Sequence, residues 1–255
     1  MNVLTQDFKA MTPNPDLNGP GVLKLEKFGQ NILWLQKDDS KKPVVLIGSH
    51  YDTKNLKNLA YVGANDSASS SAALMSILPY LHKLEQSCHF VGIWFDGEES
   101  VLHSWNDGES TYPVKIKDNT YGSRYFVSEL NKCQENWCMK ETNTKINALI
   151  LMDMIGSKNP KVTIDTFSSQ KLTEFMLETI KELKYSGMVG KKAPIEDDHL
   201  PFIQAGIPAI DIIDFENTDV WHTHGDDLKS LSLSSMLAFS KIAIKTAIKT
   251  CRYYQ

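Results

Sequence analysis

The sequence predicts one α/β domain with a mixed, mainly parallel central β-sheet flanked by helices. Short apolar runs alternate along the chain with longer helix-patterned stretches, which is the α/β signature. Those runs are nearly continuous in Val, Ile, Leu and Phe, as strands covered on both faces are. The length, 255 residues, suits one large domain or two small ones. A single domain of that size buries roughly three quarters of its unfolded surface.

Taken in order, NILWLQK (31–37) and PVVLIGS (43–49) read as strands joined by a polar DDSKK turn. HFVGIWF (89–95), INALILM (146–152), KVTIDTF (161–167) and PAIDIID (208–214) read as further strands. Helices are predicted over 66–84, 121–133, 169–186 and 232–250, with Pro79 kinking or shortening the first. The polar, turn-rich segment 100–120 reads as a long surface loop, and long loops in compact domains tend to be functional.

Composition excludes several classes. The net charge is −4, from 27 basic and 31 acidic residues, with no run of like charge to form a nucleic-acid surface. No apolar stretch approaches the roughly 18 residues of a membrane span, and the N-terminus lacks the basic-then-apolar pattern of a signal peptide. Cys88 and Cys251 stand alone, whereas Cys133 and Cys138 are five apart. The two readings are a local Cys133–Cys138 disulfide and four free thiols. No cysteine pair has zinc-site spacing.

The chemistry gathers at strand ends. His50 and Asp52 follow PVVLIGS; Asp96, Glu98 and Glu99 follow HFVGIWF; Asp153 ends INALILM; PAIDIID leads through a short loop to His222. Sites in open α/β sheets form beyond the carboxyl ends of the strands, and Asp66 opens the first helix on that same side. Alone, Asp66 reads equally well as a helix N-cap, and His50 as a satisfied core histidine. Together they are a crowd of acids, each costing several kcal/mol to desolvate, and a divalent cation removes that cost. Mixed carboxylate and imidazole donors suit zinc. Glu98 and Glu99 are neighbours that point different ways. One can face a metal while the other, its pKa raised by burial and like charge, carries protons. His50 can ligate a metal, with Asp52 orienting it.

These residues sit in a series of landmarks: SHYDTK (49–54), VGANDSA (62–68), FDGEES (95–100), YGSR (121–124), LMDMIGS (151–157), IEDDHLPF (195–202) and VWHT (220–223). In this order the chain resembles the animal-type glutaminyl-peptide cyclotransferases, members of the zinc aminopeptidase (phosphorylase/hydrolase-like) fold family. The resemblance runs from about residue 43 to the C-terminus and implies a single catalytic domain over 1–255 that lacks the family's N-terminal helix. It implies one zinc, with Asp66, Glu99 and His222 as ligands and Glu98 as proton shuttle. Asp153 and Asp197 would form a hydrogen-bond network beside Glu98, with His199 next to it. Trp221, Ile195, Glu196 and Trp105 would bind the substrate, Trp105 standing one position later than the family's usual indole. Ser49 and Ser71 replace a cysteine pair that many animal members join near the site.

The implied reaction closes an N-terminal glutamine of a peptide or protein into pyroglutamate and releases ammonia. A monomer is expected, in the periplasm or secreted as relatives are. The nearest alternative is a two-zinc aminopeptidase, in which His50 and Asp153 join Asp66 around a second ion. A catalytically dead binding module is disfavoured because Glu98 and all three zinc-ligand positions are retained.

Overall fold

Strands covered on both faces have no polar side to show water, and the sheet follows from that. The computed structural model describes residues 2–12, 25–35, 42–56, 59–84, 87–101, 117–132 and 145–254. In chain order the elements are β1 (Asn2–Thr12), β2 (Leu25–Leu35), β3 (Val44–His50), α1 (Ser70–Lys83), β4 (His89–Phe95), α2 (Tyr121–Lys132), β5 (Ile146–Asp153), β6 (Val162–Asp165), α3 (Gln170–Glu182), β7 (Val189–Ala193), α4 (His199–Gln204), β8 (Ala209–Ile213) and α5 (Leu233–Tyr253). Among the described residues the main sheet has six strands in the order β1-β2-β4-β3-β5-β8. β4, β3, β5 and β8 run parallel, while β1 and β2 add an antiparallel edge.

Side chains alternate across the parallel strands. Val45 and Ile47 turn toward Leu74 and Leu78 of α1, Met176 of α3 and Phe239 of α5. Val44 and Leu46 turn the other way, toward Phe126 of α2 and Phe202 of α4. Both faces are therefore dry, and the register pairs His50 with Phe95 and Asp153 with Ile213. Every parallel strand thus delivers its following loop to one edge. Among the described residues no helix is long and apolar enough to cross a membrane.

Several expectations are corrected. KVTIDTF does not join the main sheet; β6 pairs with β7 in a separate two-stranded sheet. β2 and β3, adjacent in sequence, are not sheet neighbours, because β4 lies between them. α1 begins at Ser70 and not at Asp66, since Asp66 and Ser67 have non-helical backbone angles. Pro79 does not end α1, which runs on to Lys83. An interior proline costs about 3 kcal/mol. Five buried apolar side chains on α1 (Ala73, Leu74, Ile77, Leu78 and Leu81) offset it, at about 1.5–3 kcal/mol for each Leu or Ile. The reading of four free thiols fails at Cys88 and Cys251, which form a buried disulfide between the start of β4 and α5. Cys133, Cys138, Trp105 and most of the 100–120 loop lie outside the described residues.

Phe202 is fully buried, its ring 6.0 Å from Phe95 and 5.9 Å from Phe126. Phe202→Ala is expected to cost about 3–5 kcal/mol, measured by chemical denaturation. A loss below about 1 kcal/mol would mean that this face of the sheet is not packed as described.

Candidate metal centre

The turn after β4 is built so that two adjacent glutamates enter the interior. Gly97 takes φ +69°, a conformation that L side chains rarely adopt. The first residues of α2 and the one before it close over the turn: Thr120 N donates to Glu98 O, Tyr121 N to Gly97 O and Gly122 N to Asp96 O. A side chain at Gly122 would collide with Asn31 Oδ1 and Asp96 O, which explains the glycine in YGSR. Asp52 braces the same turn from β3's side. Its Oδ1 accepts Glu98 N at 3.1 Å and its Oδ2 accepts Glu99 N at 3.2 Å.

Among the described residues two clusters of possible metal ligands result, and they share one residue. Asp66, Glu99 and His222 form the first; His50, Asp66 and Asp153 form the second. His222 Nε2 lies 3.2 Å from Glu99 Oε1 and 3.4 Å from Asp66 Oδ2. His50 Nε2 lies 3.1 Å from Asp66 Oδ1 and 3.3 Å from Asp153 Oδ1. On its other side His50 Nδ1 faces the main-chain oxygen of Asp52 at 3.1 Å. That contact fixes the ring and leaves Nε2 for a ligand.

The donor set fits a divalent cation. His50 Nε2, Asp153 Oδ1 and Glu99 Oε2 are buried and make no hydrogen bond, although oppositely charged partners are close by. Lys54, buried with its ammonium on Ser100 O at 2.7 Å, stands 3.7 Å from Glu99 Oε2. Buried polar atoms are nearly always satisfied, so the unpartnered atoms of His50, Asp153 and Glu99 fit an ion among them, while His222 Nε2 and Glu99 Oε1 stand within hydrogen-bond distance of each other. His222 also adopts φ +53° and Met154, next to Asp153, φ +50°. Non-glycine residues at such angles carry strain of about 1–3 kcal/mol and cluster at functional sites.

The electrostatics express the same crowding. Burial pushes the Glu99 carboxyl up to about 7, with Asp66 adding to it and His222 opposing it. Burial likewise lifts Asp153 to about 6 and Asp197 to about 7. Glu98 stands well above the carboxylate range, first through burial and then through Asp197 and Glu99, with His50 opposing. Burial also acts on Asp66, but the close approach and charge of His222 and His50 outweigh it and hold the group below its ordinary value. His222 loses basicity through burial and more than regains it from Asp66 and Glu99, reaching about 9.

The remaining sequence candidates fall around this centre. Glu98 is buried and belongs to neither ligand cluster. Asp197 is buried within electrostatic reach of Glu98 and Asp153. Trp221 donates its indole N–H to Asp66 Oδ2 at 2.9 Å and stacks on His222 with ring centres 4.2 Å apart. Ile195 packs with Met154 and Ile213 beside Trp221. Glu196 points outward, 3.9 Å from Lys117. His199 lies outside both clusters, its Nε2 3.0 Å from Asp165 Oδ2. Ser49 and Ser71 bring their hydroxyls within 3.3 Å of each other. Sequence reading missed Asn65, Asp226, Tyr61 and Lys54. The first three act on backbone or through hydroxyl contacts and carry no spacing signal, while Lys54 was visible only as the last letter of SHYDTK.

Comparison with known proteins agrees with this architecture. The model of peptidase family M28 matches residues 31–247. The glutaminyl-peptide cyclotransferase of Dictyostelium discoideum is 28% identical over 217 residues, covering 80% of this chain and 59% of that protein. The Bos taurus glutaminyl-peptide cyclotransferase is 28% identical over 240 residues, covering 83% and 63% respectively. The chain thus spans less than two thirds of the length of these relatives. Among solved structures, an Acidobacteriales bacterium glutaminyl cyclase superposes with TM-score 0.79 at 27% identity, covering 98% of this chain and 80% of that one. A leucine aminopeptidase precursor from Bacteroides thetaiotaomicron shares the fold, with TM-score 0.72 at 22% identity over 96% of this chain and 83% of that one. A family model spanning most of the chain, over the very strands and loops that bring the acids and histidines together, establishes that this protein belongs to peptidase family M28.

Proposed function

We propose that the protein is a zinc-dependent glutaminyl-peptide cyclotransferase, converting the N-terminal glutamine of peptides to pyroglutamate with release of ammonia. The observation that carries the reading is Glu98, a buried carboxyl with a raised pKa that is excluded from both ligand clusters yet adjoins the ligand Glu99. The names of the relatives and the likeness to the Acidobacteriales cyclase support it.

In this reading Asp66, Glu99 and His222 hold one zinc. When bound, the ion supplies Lewis-acid polarisation of the substrate's γ-carbonyl. Glu98 accepts a proton from the substrate α-amine, whose nitrogen attacks the γ-carbon. The C–N bond to the side-chain amide nitrogen then breaks as Glu98 returns the proton to it, and ammonia leaves. A carboxyl suited to both steps needs a pKa above the ordinary carboxylate range, and burial, with Asp197 and Glu99 beside it, raises that of Glu98. Trp221 and Ile195 form an apolar wall that curls the side chain toward its own amine, a proximity effect, and keeps out the water that would hydrolyse it. Asp153 and Asp197 steady Glu98. The buried Cys88–Cys251 disulfide supports folding in an oxidising compartment.

The second cluster favours one other reading. His50, Asp66 and Asp153 could hold a second ion, giving a two-metal aminopeptidase in which Glu98 activates water. Incubation with a glutamine-initiated peptide separates the two. Cyclisation releases ammonia and leaves every peptide bond intact, whereas release of a free amino acid would overturn the cyclase reading. Elemental analysis is expected to give about one zinc per chain.

Glu98→Gln is expected to retain zinc and to lose about 10²–10⁴-fold in turnover; undiminished turnover would remove its role as proton carrier. Acidity supplies a further expectation. Glu99, Asp153 and Asp197 have folded values of about 7, 6 and 7, above their ordinary 4.5, 3.8 and 3.8. Raised values mean that the metal-free fold holds protons the unfolded chain would release. Their contribution is complete below the ordinary carboxylate range and lost as pH rises through about 6–7. His222, raised from an ordinary 6.5 to about 9, begins to lose its contribution above about pH 6.5 and completes the loss only near pH 9. The metal-free protein is therefore expected to melt at lower temperature at about pH 8 than at about pH 5.5. The increase in melting temperature on adding zinc should widen over the same interval, because ligands bind deprotonated. An increase independent of pH would contradict the assignment of these acids.

A further inference from the structure

The loop that carries Asp66 has an unusual backbone problem. Ala64, Asn65 and Asp66 are all buried, and Asp66 and Ser67 depart from helical angles. Three successive amide N–H groups therefore point into the protein without helical partners. A buried amide without an acceptor costs about 1–3 kcal/mol, and a loop in that state would rearrange.

One residue takes all three. Ala64 N donates to the main-chain oxygen of Asp226 at 3.2 Å. Asn65 N donates to Asp226 Oδ1 at 2.6 Å, and Asp66 N to Asp226 Oδ2 at 3.2 Å. Tyr61 adds its hydroxyl to Asp226 Oδ2 at 3.0 Å and reaches Asp66 Oδ2 at 3.5 Å. Asp226 is itself 1% exposed, and both of its carboxylate oxygens are occupied by these donors.

Asp226 lies four residues after His222, on the same loop. That segment is cross-braced by Thr223 N on Val220 O and Asp226 N on Thr223 O. Tyr61 also presents its ring edge-on to the His222 imidazole, with centres 5.9 Å apart. The contacts to Asp226 thus join the loop that presents Asp66 to the loop that presents His222. The two loops come from opposite ends of the sequence, and His222 is held at a strained φ of +53°.

We propose that Asp226 is a positioning residue, a clip that fixes the Asp66 carboxylate and the His222 imidazole in one preassembled geometry for the cation. This rests on the reading that Asp66, Glu99 and His222 bind zinc. Groups that orient metal ligands are worth about 10–100-fold in affinity. Asp226→Asn keeps the shape but turns one acceptor oxygen into an NH₂ donor facing a buried N–H. Tyr61→Phe removes only the hydroxyl. Met176→Ala, a core truncation on α3, is the control for general loss of stability.

The experiment titrates zinc into each metal-free protein against a chromophoric chelator and records thermal unfolding of the metal-free forms. Zinc affinity should fall about 10–100-fold in Asp226→Asn. It should fall severalfold in Tyr61→Phe and stay within twofold of wild type in Met176→Ala, even though the control melts earlier. Wild-type affinity in Asp226→Asn, or a loss no larger than in an equally destabilised control, would overturn the clip and leave the metal centre standing. Should Asp226→Asn fail to fold, Tyr61→Phe decides, and unchanged affinity there overturns the proposal. A wild-type protein that binds no zinc would instead remove the metal centre itself, and the clip with it.

Discussion

The site is organised by one electrostatic constraint. Asp66, Glu98, Glu99, Asp153 and Asp197 are all buried within reach of one another's charge, with the imidazoles of His50 and His222 among them. Two imidazoles and the Lys54 ammonium do not balance five carboxyls, and desolvating each ionised carboxyl costs several kcal/mol. The metal-free arrangement relieves the excess by taking up protons, which is why Glu99, Asp153 and Asp197 stand above the ordinary carboxylate range. In the proposed function a divalent ion bound at Asp66 would relieve it without protons and leave Glu98 free for chemistry. In that proposal the same crowding both calls for a metal and raises the pKa of the neighbouring Glu98.

The scaffold supplies the geometry. Parallel strands dry on both faces can change only at their ends, so β3, β4, β5 and β8 contribute four loops to one edge of the sheet. Each loop is then fixed by the backbone contacts of another. Asp52, after β3, takes the two glutamate amides after β4, and Asp226, after β8, takes the amides beside Asp66. Acidic residues thus act in two ways here: some face the cation site, and others accept backbone N–H groups and set the loops that carry the first.

Much of this was legible in the sequence. The four parallel strands announced themselves by unbroken apolar runs, and the candidate residues His50, Glu98, Glu99 and Asp153 by standing at or just after their ends. What escaped had no such signal. β7 (VGKKA) has no buried side chain and hence no apolar pattern. β1 buries Phe8 while Val3 stays exposed, as at a sheet edge. α4 is six residues long with Pro201 inside it, too short for helical periodicity. The Cys88–Cys251 bond spans 163 residues, and no local spacing encodes a contact that depends on how α5 packs across the sheet. Asp226 was hidden for a related reason. Its partners are main-chain amides 160 and 161 residues away, so neither its identity nor its spacing marks it apart from a surface aspartate. Chemistry carried by side chains at strand ends can be read from a sequence; chemistry carried by loop-to-loop backbone contacts requires the fold.

The most direct test is anomalous diffraction at the zinc absorption edge from crystals of the zinc-supplemented protein. The account predicts a strong peak with Asp66, Glu99 and His222 as its protein ligands, at about 2.0–2.2 Å from a donor atom of each. A peak elsewhere, or none at this centre, would contradict it.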